Sequence, residues 1–348
     1  MKIYIIIQGE NKNPPYFAEA SQIYKELLKE GIVEKVIYST GKEDSRCHCN
    51  GGARSCDWSG DCAEMDLLKD FSIIATPMDN IDFFLKDGSR DAFNSLKGHG
   101  NCWVQVQQLE HALNSLPDEE DVFVLKTRPD VIISIELIKK IFETISTQPI
   151  NCPQTGLRNR LWYPWFDLTK PFYIADECFA GHLSDLKKFI NYRTREYSHY
   201  FLGITHVRRS IEPFLEPYPL LQDYLKNEGD CLRSLTSLGI NRQRNALELL
   251  KTDLYLNYLA HYYFILHKYF FISSPSGHVK FRPWSDCPRK ILPTATIEEN
   301  VKMGTWFMAA FIMGYNDEFL NNMVGGRIKS RVYDFIQEIN GGTCIHDK

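Results

Sequence analysis

Residues 3–9 read Ile3-Tyr4-Ile5-Ile6-Ile7-Gln8-Gly9: an unbroken apolar run, mostly β-branched, that ends in an amide and a glycine. An apolar run without polar alternation is the pattern of a strand covered on both faces, as happens in a parallel sheet flanked by helices. The segment is therefore expected to be a central strand. From Ala18 to Glu30 the period changes to that of an amphipathic helix, with Ala20, Ile23, Leu27 and Leu28 on one side and lysines and glutamates opposite. Gly31 ends it. Val33 to Ser39 then supplies a second strand, so the chain opens as strand, helix, strand, the unit from which doubly wound sheets are built. Phe71 to Thr76 adds a third strand.

Further out, Asn101 to Leu116 is helical in pattern and the acidic turn Pro117 to Asp121 leads into the buried strand Val122-Phe123-Val124-Leu125. The next residues are Lys126-Thr127-Arg128-Pro129-Asp130. Open α/β sheets bind ligands at the carboxyl ends of their strands, so charges placed there are the strongest site signal in the chain. Phe172 to Gly181 (FYIADECFAG) reads as a strand carrying two carboxylates, followed by a helix from Leu183 to Tyr192. Beyond Tyr200 long helical stretches take over, from Arg242 to Phe271 and from Ile297 to Ile339. The expected fold class is α/β: a mostly parallel, Rossmann-like sheet flanked by helices in residues 1–200, and a mainly helical region in residues 201–348 that completes an acceptor cleft.

The bulk composition narrows the function classes. The chain has 348 residues, 44% hydrophobic and 24% charged, which suits a folded globular protein rather than a disordered one. Its net charge of -4 is spread without long blocks of one sign, so no nucleic-acid partner is expected. The N-terminal apolar run is too short for a secretion signal, and no window reaches the ~18 to 20 apolar residues of a membrane span. A cytoplasmic location is expected, and with it reduced thiols for the ten cysteines. Aromatic residues make up 13%, enough to serve a large core or to stack on sugars and bases.

A transferase that uses a nucleotide sugar must neutralise a diphosphate leaving group, with a divalent metal held by carboxylates or with Arg and Lys donors. Lys126, Arg128 and Asp130 supply both kinds within five residues. If the backbone stays extended they alternate onto one face and converge on a single phosphate-metal group; the alternative is a surface salt bridge at a strand end. Magnesium or manganese commonly takes one or two protein carboxylates plus phosphate oxygens, so a single Asp130 does not disqualify a metal. Asp176 and Glu177 end another apolar run and point to opposite faces. One of them would act as general base on an acceptor hydroxyl, or both serve a turn ahead of the next helix. Gly181 either admits a ligand close to the backbone or merely ends the strand. Gln8-Gly9 and Thr40-Gly41 lie just past the first two strands, where they would meet a base or ribose, and ordinary turn chemistry explains them equally well. The chain has no Walker loop, GxGxxG or hydrolase elbow. Cys47-His48-Cys49, Cys56 and Cys62 place five soft ligands in a glycine-rich loop without paired CxxC knuckles, consistent with a structural zinc or with free thiols. His261 and His267 fit no ligand pattern with each other.

Taken in order, IIIQG, VIYST, VQQLEHAL, FVLKTRPD and IADECFAG resemble the motifs of the WavE-type lipopolysaccharide-synthesis proteins over roughly the first 190 residues. That resemblance implies a GT-A-like fold and glycosyl transfer in lipopolysaccharide, O-antigen or capsule synthesis. The family pattern is QG after the first strand, ST after the second, an RQ helix start, KxRxD at a strand end, and D-aromatic-x-x-G. By that likeness Gln8, Gly9, Thr40 and Gln108 would line the nucleotide pocket, with Lys126, Arg128 and Asp130 as the KxRxD element and Asp176 as the later aspartate. Two positions depart from it: Gln107 replaces the arginine, and Glu177-Cys178 replaces an aromatic pair.

The expectation is thus a glycosyltransferase with a nucleotide-sugar donor, a glycan or glycolipid acceptor, and a divalent cation, Mg2+ or Mn2+. A peripheral contact with the cytoplasmic face of the inner membrane accompanies it. Asp130 would hold the cation, Lys126 and Arg128 would stabilise the leaving group, and Asp176 or Glu177 would activate the acceptor. A sugar nucleotidyltransferase would share the sheet and the carboxylate but needs a glycine-rich triphosphate loop, absent after Gly9. A non-catalytic carbohydrate- or zinc-binding scaffold would use the aromatics and the cysteine loop instead.

Overall fold

In the computed structural model the described residues are 1–9, 14–41, 46–47, 54–55, 67–76, 108–147, 149–152, 156–164, 177–190, 269–272 and 278–281. Asp176, Gln107, His261, His267, the helix expected over Ile297–Ile339, most of that expected over Arg242–Phe271, and most of the Cys47–Cys62 segment lie outside them.

The opening run forms β1 (Lys2–Gln8). It is followed by α1 (Pro14–Lys29), β2 (Lys35–Gly41) and the short antiparallel pair β3 (Arg46–Cys47) and β4 (Arg54–Ser55). Then come β5 (Ser72–Thr76), β6 (Val122–Thr127), β7 (Val131–Ile133) and α2 (Ile135–Thr147). The chain continues through β8 (Pro149–Cys152), β9 (Leu157–Asn159), β10 (Leu161–Tyr163), β11 (Phe179–His182) and α3 (Leu183–Ile190). The last described strands are β12 (Phe270–Ile272) and β13 (Val279–Phe281).

Seven strands make one sheet in the order β12-β10-β11-β6-β1-β2-β5. β1 pairs in parallel with β2 and β6, and β2 with β5. β11 alone runs against its neighbours β6 and β10, while β12 lies parallel to β10. The result is a mixed, mostly parallel α/β sheet with β1 inside it, as the apolar run requires.

The sheet is covered by helices on both faces. Ile3, Ile5 and Ile7 of β1, Val36 and Tyr38 of β2, and Phe123 and Leu125 of β6 share a core with Phe17, Ala20, Tyr24 and Leu27 of α1 and with Leu137, Ile138, Ile141, Phe142 and Ile145 of α2. On the other face, residues 108–114 form a helix with Leu109, Ala112 and Leu113 buried, and the Ser39 hydroxyl donates to the Gln108 carbonyl at 2.9 Å. Helix ends follow local chemistry. Gly31, at φ 67°, terminates α1: its N–H donates to the Leu28 carbonyl and the Ile32 N–H to the Leu27 carbonyl, the Schellman pair of bonds. Ser134 caps α2, its hydroxyl accepting the Leu137 N–H at 3.2 Å.

Two sequence expectations change. Phe270 and Phe271, at the end of the expected helix Arg242–Phe271, lie in β12 and pair with β10. A short aromatic run has no period that separates buried helix from buried strand, so pairing decides. In FYIADECFAG the described strand starts only at Phe179, after the carboxylates. Because β11 is antiparallel, its first residue Phe179 sits opposite Lys126, so Glu177 still lies at the carboxyl-end rim of the parallel strands.

Gly181 lies within β11, where a Cβ would come 2.4 Å from Leu161 Cδ2 and 3.3 Å from Leu186 Cδ2. It therefore has a packing role. Gly181→Ala is expected to lower unfolding stability by about 1–3 kcal/mol through overpacking, read in urea denaturation; unchanged stability would show that Leu161 yields without cost.

At the opposite end of the sheet, the Asp185 carboxylate accepts the backbone N–H groups of Arg158 and Asn159, both at 2.9 Å. The Asn159 amide donates in turn to the Ile145 carbonyl at 2.8 Å. Burial raises the Asp185 carboxyl above its ordinary value, against those two hydrogen bonds. Its stabilising contribution is therefore full below the unfolded carboxylate value and is lost as pH rises through the raised folded value. Asp185→Asn should remove that slope from a stability–pH curve. It should also cost about 1–3 kcal/mol at neutral pH, because an amide NH2 turned toward a backbone N–H leaves a buried donor unmatched. A mutant curve parallel to wild type would refute the assignment.

Candidate functional site

Every parallel strand of the central sheet delivers its carboxyl end to one rim. Register fixes who meets there. Gln8 is paired with Ser39, and the Gly9 N–H extends that ladder to the Ser39 carbonyl at 3.0 Å. Ile7 is paired with Thr127, so Gln8 at the end of β1 and Arg128 just past the end of β6 come next on the two chains. Gly41 is paired with Thr76, which brings the end of β5 to the same edge, one residue past Thr40. Gln8, Ser39, Thr40, Thr76, Gln108 and Thr127 are all buried. Parallel pairing therefore gathers the expected residues Gln8, Gly9, Thr40, Arg128 and Asp130 along one edge.

Gly9 has φ 105°, a conformation open to glycine and strained for L side chains, and no atom lies within 4 Å of where its Cβ would stand. Backbone geometry, not crowding, demands the glycine. Its carbonyl accepts the Tyr38 hydroxyl at 3.0 Å, which anchors the turn over β2.

After β6 the chain does not stay extended. The Val131 N–H donates to the Arg128 carbonyl at 3.1 Å, closing a turn with Pro129 and Asp130 at its centre. Proline presets the φ that the first central position of such a turn needs. This replaces the alternation expected for Lys126, Arg128 and Asp130. The turn folds Asp130 back onto Arg128, and the guanidinium Nε and Nη2 donate to Oδ1 and Oδ2 at 3.0 and 2.9 Å. The two side chains are 28% and 12% exposed. The ion-pair alternative thus describes how Arg128 and Asp130 meet, although the pair is partly buried.

Lys126 takes a different direction. Only 2% exposed, it donates to the Glu177 carbonyl at 3.4 Å, with its ammonium 5.5 Å from the centre of the Phe179 ring. Phe179 stacks on Tyr163 at 5.3 Å between centroids, and Tyr163 meets Phe270 edge-on at 5.3 Å. The lysine is thereby held at the paired ends of β6 and β11, beside Glu177. Cys178 is a buried free thiol.

Gln108 is buried, and its carbonyl is engaged by Ser39. Ser39, Thr76 and His111 were not singled out by sequence. Thr76 Oγ1 and His111 Nδ1 lie 3.2 Å apart at the end of β5. A polar residue closing an apolar strand, as Ser39 and Thr76 do, is the signal that would have marked them.

The donor set fits a hard cation only modestly: Asp130 is one carboxylate, already engaged by Arg128, and among the described residues no cluster of three His, Cys, Asp or Glu is present. One carboxylate with phosphate oxygens and water remains an ordinary magnesium arrangement. Among the described residues no helix is long and apolar enough to cross a membrane. Set against known protein-family models and curated proteins, the chain matches none of them.

Proposed function

We propose that the chain is a glycosyltransferase that transfers a sugar from a nucleotide-sugar donor to a hydroxyl of a bacterial surface glycan, on a GT-A-like core in residues 1–200 completed by residues 201–348. The observation that carries this reading is the meeting, on one rim of a mostly parallel sheet, of the open positive-φ Gly9 with the Arg128–Asp130 pair. Open sheets hold nucleotides at such a rim. Support also comes from the order of motifs shared with the WavE-type proteins.

In this reading Gln8, Gly9, Thr40 and Gln108 flank the nucleoside, and the Gly9 backbone, lacking a Cβ, lets it approach closely. Arg128 offers guanidinium donors to the departing diphosphate, where negative charge develops as the glycosidic bond to the donor breaks. Lys126, buried at the end of β6, adds a positive charge where the low dielectric strengthens its field. Asp130 would hold a divalent cation, which when bound would supply further charge neutralisation to the phosphates. Glu177, at the same rim, or Asp176, outside the described residues, would take the proton of the acceptor hydroxyl. The cytoplasmic face of the inner membrane is the proposed place of work.

The test is a screen of purified protein against a panel of sugar nucleotides with Mg2+ or Mn2+, reading slow release of free nucleoside diphosphate. Release from one donor, enhanced by a glycan acceptor, supports the reading. A flat response across the panel, together with no thermal shift by any nucleoside diphosphate, would remove it.

A further inference from the structure

Helix α1 packs into the core that also holds Ile7, Leu125, Cys178 and Ala180 of the sheet. Thr127 ends β6 two residues after Leu125, so its side chain shares that face, and in register it stands beside Ile7 of β1. Tyr24 of α1 belongs to the same core, and both residues are fully buried. Neither the Tyr24 nor the Thr127 hydroxyl has a hydrogen-bond partner among the described residues, and the buried Ser21 hydroxyl, one turn before Tyr24 on α1, has none either. Burial pushes the Tyr24 phenol above the ordinary tyrosine range, the Thr127 hydroxyl draws it down and the Cys178 thiol pushes it up, so these three groups face one another. The two hydroxyls thus lie near enough to influence each other yet outside direct hydrogen-bonding geometry.

A phenol kept protonated by burial is a donor, and a hydroxyl buried without a partner carries a desolvation cost that folded proteins rarely leave unmatched. Polar groups that face each other across a gap in a protein interior are commonly joined by ordered water, which needs at least two polar partners. We infer that a water molecule bound beneath the rim bridges Tyr24 of α1 and Thr127 of β6, accepting the phenol O–H and donating to Thr127 Oγ1. The bridge ties α1 to the strand end that carries Lys126 and Arg128. Thr127 stands between these two cations, so the water fixes the stretch of backbone from which both project. The inference makes no use of the nucleotide reading and stands or falls apart from it.

The experiment combines urea unfolding of the full chain with oxygen-17 relaxation dispersion, which counts water molecules held longer than the protein takes to tumble and is blind to exchanging hydroxyl protons. Tyr24→Phe and Thr127→Val each remove one hydroxyl at nearly constant shape. Each should raise the unfolded-to-folded ratio by about 5- to 30-fold, because the water leaves and the other hydroxyl is stranded. The double variant strands nothing and should be no less stable than the weaker single, a departure from additivity of at least about 2-fold. Long-lived water should fall by about one molecule in the double variant and be retained in Thr127→Ser, which keeps the hydroxyl. Stabilisation by either single substitution would show that the hydroxyls are unmatched in solution, and overturns the bridge. Destabilisation with an unchanged count of long-lived water would show a direct Tyr24–Thr127 bond, and overturns it equally. Should one single variant fail to fold, the other single and the Thr127→Ser control carry the same comparison.

Discussion

Arg128→Ala is expected to reduce kcat for donor turnover by about 100- to 1,000-fold, the loss typical of removing one preorganised donor to developing negative charge. The guanidinium is held at the rim by the two hydrogen bonds it donates to Asp130 across a proline-shaped turn, and it would exchange these for phosphate oxygens. The same substitution leaves Asp130, 12% exposed, without its cation, which adds a modest loss of stability. Turnover measured well below the unfolding temperature separates the two effects. A variant that retains most of its turnover would show that Arg128 serves only to pair Asp130.

Lys126→Met gives the second large effect, and stability and turnover should move apart. The lysine is 2% exposed, and an apolar side chain of similar length removes the cost of holding a charge away from water, which offsets the lost hydrogen bond to Glu177. Its ammonium also sits over the Phe179 ring at 5.5 Å, a contact that a thioether keeps in part. Unfolding stability should therefore hold or rise. Donor turnover should drop by about 100-fold, because the buried positive charge proposed to stabilise the leaving group is lost. A drop in stability with turnover preserved per folded molecule would make Lys126 a structural residue and remove it from the site. Arginine is no substitute here, since its planar fork does not fit a place shaped for a compact ammonium.

These substitutions test a site whose parts were unequally legible. The strands expected at Ile3–Ile7, Val33–Ser39, Phe71–Thr76 and Val122–Leu125 could be read because each holds a short apolar run bounded by polar or turn residues, although two of them begin one or two residues later, at Lys35 and Ser72. The charges after Leu125 could be read for the same reason. What β7, α2 and the short strands after them do was not read: β7, β8, β9, β10 and β13 are only three or four residues long, too short for a period to show. The carboxylates of the FYIADECFAG segment were placed at the end of a strand, and Glu177 instead precedes one. Its position at the rim survives only because β11 runs antiparallel, a matter of partner and direction that no local pattern contains.

By itself, then, the amino-acid order determined that a covered, mostly parallel sheet exists, that β1 lies within it, that Gly31 stops α1, and that cations and a carboxylate stand at the end of β6. These are consequences of short-range periodicity and of side-chain and backbone stereochemistry. Tertiary structure alone decided that β11 inserts against β6, that Phe270 joins the sheet as strand rather than helix, that Gly181 leaves room for Leu161, and that Lys126 turns toward Glu177. Each of those depends on which distant segment comes to lie alongside. Pairing energies between strands and the space left by a neighbour's side chain are properties of contacts, and contacts are set by the whole fold.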